Sequence, residues 1–210
     1  MITYQAGNHL KVISRAEEFL GEKLIAREEK SHYHQFQVHG RDAHGFLRFL
    51  RDDPALGFSM FIDLTCVDYL RYPAEQPGRF GVIYTLLSPS LGVKVQVKAF
   101  VPEQEPRILT ATDLFAGADW TEREVWDLYG VEFIGHPDLK RILMPDDYEG
   151  FPLRKDYPLR GRGERGNFPV YHASPGHEAP GGGQHGHGGH GGRPDHGGQG
   201  HGHSHGKGGR

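Results

Sequence analysis

Cysteine is almost absent from this chain. The single thiol, Cys66, can neither close a disulfide within the chain nor supply a four-cysteine iron–sulfur site. It sits in the apolar run Met60-Phe61-Ile62-Asp63-Leu64-Thr65-Cys66-Val67, the setting of a buried structural thiol rather than a nucleophile, and one free thiol fits a reducing compartment. Long hydrophobic runs are missing too: no stretch reaches the ~20 apolar residues of a membrane-spanning helix. The N-terminus shows neither a basic segment leading into an apolar core nor an Arg/Ser-rich transit pattern, so the expectation is a bacterial cytoplasmic protein. No charge sign dominates. The net charge is -3, the body is mildly acidic, and nucleic acid finds no electrostatic footprint as a main partner. No internal repeat is visible, and no Gly-rich phosphate loop follows a strand. Arg160-Gly161-Arg162-Gly163 lies instead in a polar, extended context. The basic run from Arg154 to Arg165 suits an acidic partner surface or lipid headgroups.

What is present is concentrated in 122–158. Its first third reads as a helix, with Asp119 as cap and Glu122 closing a capping box. Glu122 and Glu124 lie near the positive end of the helix dipole. Arg123 and Asp127, four apart, are spaced to pair on one exposed strip. Val125, Leu128 and Tyr129 form an apolar stripe flanked by Trp126, and Gly130 is placed to end the helix in a left-handed conformation. A short apolar run, Val131–Ile134, and the turn His136-Pro137-Asp138 follow. Beyond the turn, prolines recur every few residues at Pro145, Pro152 and Pro158, a spacing that holds neither a regular helix nor an inner strand. Yet this segment keeps Ile142, Leu143, Met144, Tyr148, Phe151, Leu153, Tyr157 and Leu159. It reads as an extended arm whose apolar side chains are covered by the body of the chain or by a partner.

Upstream, His9–Leu20 carries apolar residues at Leu10, Ile13, Ala16, Phe19 and Leu20, which is helical spacing. Glu22–Arg27 and Tyr33–Val38 read as strands joined by a charged turn from Glu28 to Ser31, with Phe36 and Val38 inward. Asp42 is placed to cap a second helix that buries Phe46, Leu47, Phe49 and Leu50 and stops at Asp52-Asp53-Pro54. Met60–Tyr69, Phe80–Leu87 and Gly92–Val101 are strands. In the last, Val93, Val95 and Val97 alternate with Lys94, Gln96 and Lys98, one face dry and one wet. Three strands in succession favour an antiparallel meander, and a short helix is expected near Thr112–Phe115. The fold class is α+β: a mostly antiparallel sheet with helices on one face in residues 1–135, an extended proline-spaced arm over 136–171, and a Gly/His-rich tail over 172–210. The tail cannot bury enough apolar area to offset its conformational entropy and is expected to be disordered.

Candidate chemistry is sparse. Asp146-Asp147 beside Glu149 offers carboxylates to a hard cation, but a turn after Pro145 explains them equally. Glu122 and Glu124 as an acid/base pair compete with capping and dipole effects. His136 has no nucleophile motif or convergent partner, so hydrogen bonding to backbone in a turn is the simpler reading. Trp120, Trp126 and Tyr129 are spaced as core or interface anchors rather than as an electron relay. In the tail, His185, His187, His190, His196, His201, His203 and His205 are closely spaced imidazoles suited to weak capture of nickel, zinc or copper. No metal site is read in the body.

The pattern Glu122-Arg123-Glu124, Asp127-Leu128-Tyr129, His136 and Lys140-Arg141-Ile142-Leu143 resembles the signature of the C-type, or 30 kDa, subunit family of proton-translocating NADH–quinone oxidoreductase, respiratory complex I. Residues 150–158, Gly-Phe-Pro-Leu-Arg-Lys-Asp-Tyr-Pro, are similar to the family's continuation, and the layout around Asp68-Tyr69 and Arg79-Phe80 is similar as well. The resemblance covers about Leu10 to Pro158; the tail departs from it. It implies a non-redox subunit of the peripheral arm, on the cytoplasmic side of the bacterial inner membrane and touching the membrane only through the complex. Its implied partners are the large D-type subunit, which helps form the quinone site, and the neighbouring iron–sulfur subunits. FMN, iron–sulfur clusters, NADH and quinone would belong to the complex, none to this chain, which alone would catalyse nothing. The implied interface is Glu122, Arg123, Glu124, Trp126, Asp127, Tyr129, His136, Phe151, Arg154, Lys155, Asp156 and Tyr157. The aromatic members would be anchors and the charged triplet 154–156 would fix register. Two alternatives stand beside this reading. One is the equivalent subunit of a membrane-bound hydrogenase or other-donor complex; the other is a metal-binding protein acting through the tail. Truncation after Gly135 is expected to leave a soluble body that no longer joins the complex.

Overall fold

The computed structural model describes residues 6–30, 33–159 and 161–162. The architecture is α+β, with a mostly antiparallel five-stranded sheet carrying its helices on one face. The order of elements is α1 (Ala6–Leu20), a short 3-10 turn (Gly21–Lys23), β1 (Ala26–Lys30), β2 (Tyr33–His39), α2 (Gly40–Asp52), β3 (Met60–Asp68), β4 (Phe80–Ser88), β5 (Val93–Val101), β6 (Arg107–Leu109), α3 (Ala118–Tyr129) and β7 (Glu132–Ile134). The strand order in the large sheet is β1-β2-β5-β4-β3. β3, β4 and β5 form the expected antiparallel meander. β2 joins it by a parallel pairing with β5, Phe36 opposite Val97, and β1 closes the edge as an antiparallel hairpin partner.

The inner face follows from the period-two pattern. Val93, Val95, Val97, Ala99 and Val101 of β5 are buried beside Phe80, Val82, Tyr84 and Leu86 of β4, Leu64 and Cys66 of β3, and Phe36 and Val38 of β2. Helix α2 lays Ala43, Phe46, Leu47 and Leu50 on this face. Phe46 meets Phe36 edge to face at 5.6 Å between ring centroids. Burial pushes the Cys66 thiol far up, so it stays protonated and inert.

The structure sets the inward face of α1 and corrects three local expectations. In α1 the buried stripe is His9, Val12, Ala16 and Leu20, while Leu10 is 66% exposed. The apolar positions read from sequence share Ala16 and Leu20 with this stripe; a buried His9 occupies another of its positions and bonds His34 of β2 at 3.0 Å. Phe19 lies at the rim, stacked on Phe49 at 4.1 Å. In β1, Glu28, Glu29 and Lys30 are strand rather than turn, tolerated because β1 is an edge whose charged side chains discourage further pairing. Asp42 lies in the first turn of α2, and the cap position is His39. No helix forms at 112–115; the amides of Leu114 and Phe115 both bond the Ala111 carbonyl in a turn. Two pairings went unforeseen: β2 beside β5, and β6 parallel to β7, matching Ile108 with Phe133.

The outer sheet face is capped at one end by the Tyr69–Arg79 loop. Gly81 permits this, since a Cβ there would stand 2.8 Å from the Tyr69 ring. The loop closes at Gly78, whose missing Cβ would meet the Val101 carbonyl oxygen at 2.7 Å. Gly78→Ala should therefore lower stability by roughly 1–3 kcal/mol, read as a lower urea midpoint with an unchanged slope.

Candidate functional site

The 122–158 stretch folds back on the body and forms one compact unit with it. Helix α3 packs against β3 and ends at Gly130, which takes the expected left-handed conformation at φ 71°. The reason for glycine is double, because a Cβ would also lie 2.5 Å from the Phe151 ring and 2.6 Å from the Arg154 guanidinium. The proline-spaced arm thus returns across the end of α3, and the Leu153 amide bonds the Leu128 carbonyl at 3.1 Å.

Polar side chains of α3, rather than an apolar stripe, hold this return. Asp127 is fully buried. Its Oδ2 accepts three consecutive amides, Ile142 at 3.1 Å, Leu143 at 2.8 Å and Met144 at 2.9 Å. Its Oδ1 accepts Arg141 at 2.6 Å. Burial alone would raise the Asp127 carboxyl; the Met144 and Leu143 amides, Arg141 and the Ile142 amide together hold it below the usual carboxylate range. Arg141 continues the network to the Tyr148 carbonyl at 2.7 Å and faces the rings of Trp126, Tyr148 and Phe151. Arg123 turns away from Asp127 and donates to the carbonyls of Lys140 and Arg141 at 3.1 and 3.3 Å. The exposed Arg123–Asp127 pair read from their spacing is therefore corrected: each binds the arm instead.

Glu122 is corrected as well. It lies four residues inside a helix that begins at Ala118, has Gly117 at its cap position, and is fully buried. It accepts the Thr110 hydroxyl at 2.6 Å and the Ala111 amide at 2.7 Å, closing the turn before α3. Burial pushes its carboxyl up to about 7, against the pull of those two donors, and nearby Asp119 and Asp113 push the same way. Glu124 is exposed and makes no acid/base pair with it.

The arm's far end is locked to the sheet. Asp68, at the end of β3, accepts Arg79 through both oxygens at 3.1 and 2.9 Å and the Lys155 amide at 2.8 Å. Arg79 also reaches Asp156 at 2.9 Å and Glu103 at 2.7 Å. Arg154 donates to the Tyr129 carbonyl at 2.5 Å and lies over the Phe80 and Phe151 rings. Tyr148 and Tyr157 share a hydroxyl hydrogen bond of 2.6 Å. His136 is enclosed at a turn. Its Nδ1 accepts the Asp138 amide, which leaves Nε2–H to donate to the Asp119 carbonyl at 3.2 Å.

Of the residues named from sequence, Glu122, Arg123, Asp127, His136 and Arg154 thus spend their polar atoms inside the chain. Trp126, Tyr129, Phe151 and Tyr157 are half-buried, and Glu124, Lys155 and Asp156 are exposed. Asp146, Asp147 and Glu149 are exposed, and among the described residues no three His, Cys, Asp or Glu converge to hold a metal. Tail histidines 185 to 205, together with Arg160 and Gly163, lie outside the described residues. Asp68, Arg79 and Arg141 were missed as structural determinants; an aspartate ending an apolar strand, with an arginine opening the next, was the available signal.

The Respiratory-chain NADH dehydrogenase, 30 Kd subunit family matches residues 36–163, over the sheet and the arm alike. The chain belongs to that family. It is 52% identical over 115 residues to a C-type NADH-quinone oxidoreductase subunit of Rhizobium meliloti (strain 1021), covering 55% of each chain. It is 42% identical over 153 residues to the C-type subunit of Mesorhizobium japonicum, covering 71% of this chain and 74% of that one. The matches thus span about half the length of several curated relatives. Among solved structures, a trypsin-resistant fragment of Nqo5 superposes with TM-score 0.52 at 33% identity, covering 63% of this chain and 99% of the fragment. A chain of an archaeal membrane-bound sulfane sulfur reductase shares the fold, with TM-score 0.61 at 21% identity over 81% of this chain and 98% of that one. No helix among the described residues is long and apolar enough to cross a membrane.

Truncation after Gly135 would strip Asp127 and Arg123 of their partners, so it tests folding before it tests assembly. Asp127→Asn keeps the volume but removes the charge from the amide cradle, and should cost about 3 kcal/mol at pH 7. Glu122→Gln should behave oppositely. Because the folded-state value lies above the ordinary 4.5, the native state retains a proton that the unfolded state releases. Stability is therefore lost as pH rises from about 4.5 to about 7, and the cost persists above that. Glu122→Gln should match wild type near pH 4 and gain on the order of 2–3 kcal/mol over it at pH 8, measured by urea melts across pH.

Proposed function

We propose that this chain is a non-redox subunit of the peripheral arm of NADH–quinone oxidoreductase, held on the cytoplasmic side of the membrane by docking on the large D-type subunit of the quinone site. The observation that carries the reading is a family match running through the arm to residue 163. Electron transfer from NADH to quinone, with FMN and iron–sulfur clusters, would be the work of the other subunits. This chain would position them.

The docking segment is residues 136–171, together with the face of α3 next to it, distinct from the body at 1–135 and the tail at 172–210. The buried Asp127 and Arg123 and the half-buried Arg141 and Arg154 shape the arm. The contact surface is what that shape leaves outside: the half-buried rings of Trp126, Tyr129, Phe151 and Tyr157, the exposed Glu124, Lys155 and Asp156, and three exposed leucines. Leu143 is 59%, Leu153 45% and Leu159 fully exposed. Apolar side chains displayed on a rigidly tied loop fit an interface better than a solvated connection.

Leu153→Asp with Leu159→Asp removes no internal hydrogen bond. The double variant should melt like wild type yet be absent from the complex isolated through a tag on another subunit. Normal incorporation would refute docking through the arm. Proteomics of assemblies carrying the tagged wild-type chain reads the electron donor. A flavin subunit that binds NADH, iron–sulfur subunits and the large quinone-site subunit are expected; hydrogenase subunits would keep the scaffold role and change the donor; the chain alone and loaded with metal would move attention to the tail.

A further inference from the structure

The outer face of the sheet carries a second surface, which the arm borders only through Lys155. A row of polar side chains crosses all five strands: Glu28 opposite Gln35, Gln35 opposite Gln96, Gln96 opposite Thr85, and Thr85 opposite Asp63. The Gln35 carboxamide bonds Gln96 at 2.8 Å, and Gln96 bonds Thr85 at 3.2 Å. Across five strands this row spans roughly 20 Å. Glu28, Gln35 and Gln96 of this row line an open trough of about 880 Å³, walled by the Tyr69–Arg79 loop and Lys155; Thr85 and Asp63 lie outside its lining.

Two features of the trough are unspent. Gln35 is only 4% exposed, yet its buried carboxamide oxygen has no hydrogen-bond partner among the described residues. Exchanging its oxygen and nitrogen would leave a donor unmet instead of an acceptor, so the unmet group persists. The charges are also unbalanced. Glu28 is matched by Lys30 at 2.6 Å and Asp68 by Arg79, and Asp63, at the far end of the row, accepts the Leu64 amide. Lys98, half-buried against the Tyr69 and Phe100 rings, makes no ion pair among the described residues, and neither does Arg71 at the rim.

We propose that this trough is a docking groove for an acidic, extended segment of a protein partner. The carboxamides of Gln35 and Gln96 are largely spent on each other and on Thr85, so they form a polar floor, and the cations around it supply the recognition. Lys98, Arg71 and Lys155 select aspartate or glutamate side chains on the segment. The trough is open along its length, whereas a site for a small anion would enclose it. The groove lies on the sheet's outer face and shares Lys155 with the arm, so it extends the assembly surface from the arm onto the sheet.

The test places benzoylphenylalanine at Tyr72, which is 57% exposed on the trough wall, in the full chain, with a control at Leu10 on the helical layer. Assemblies are isolated from gently solubilised membranes through a tag on this chain, irradiated, and the adduct is sequenced by mass spectrometry. The co-purifying subunits report on complex membership, and the adduct reports separately on the groove. The expected result is an adduct at Tyr72, absent at Leu10, to an Asp/Glu-rich segment of another subunit. Lys98→Glu with Arg71→Glu should cut its yield about tenfold or more with unchanged melting. Lys98→Met with Arg71→Met should act in the same direction, and stands in if the charge reversal melts early. No adduct, an adduct to a neutral or basic segment or to a small anion's site alone, or a yield indifferent to both double variants overturns the proposal.

Discussion

A carboxylate removed from water must find all its ligands in protein, and Asp127 finds them in a segment that has no regular structure of its own. Three successive amides and one guanidinium converge on it. Each contact is individually modest, but a buried charge cannot lose its partners piecemeal without large cost. The arm is therefore fixed as if it were an element of the fold. Consecutive N–H groups turned to one side form a concave anion site, and here a side chain of the same chain fills it. That substitution of an internal anion for a strand ladder is what allows prolines at 145, 152 and 158 in a well-packed segment.

The same helix holds a second buried carboxylate under the opposite rule. Glu122 has two neutral donors and no cation, so burial governs and its proton is retained near neutrality. Asp127 has three amides and a cation, so ionisation governs. Five residues separate a group that prefers to be neutral from one that prefers charge. The first secures the turn into α3, the second the return from it. Asp68 repeats the second pattern at the sheet, with Arg79 in place of Arg141 and the Lys155 amide in place of the cradle. The arm is pinned at both ends by carboxylates of the body, and its apolar residues need only fill the space between.

Periodicity made the sheet legible. The alternation in Val93–Val101 and the apolar strands before it state their own partners, because a one-residue slip would exchange the two faces. Gly130 was legible because a helix end needs a residue that accepts positive φ. Residues 122, 123 and 127 were not, because spacing rules assume that charged residues face water. At these positions the partners lie 11 to 18 residues away in sequence, beyond any local pattern. The buried stripe of α1 was only partly legible for a related reason: His9 counts as polar until its bond to His34 is known. The pairing of β2 with β5 joins residues about sixty apart and leaves no trace in either strand alone.

The distance in sequence between Asp68 and the Lys155 amide that completes its shell is 87 residues. During synthesis the meander emerges with its charges only partly matched, and Asp127 is without its cradle until residue 144 has left the ribosome. The last-made part of the body is thus the part that seals it. A nascent chain stalled short of that point leaves Asp127 without its ligands and the end of α3 uncovered, so this end stays open to proteases until the arm is made.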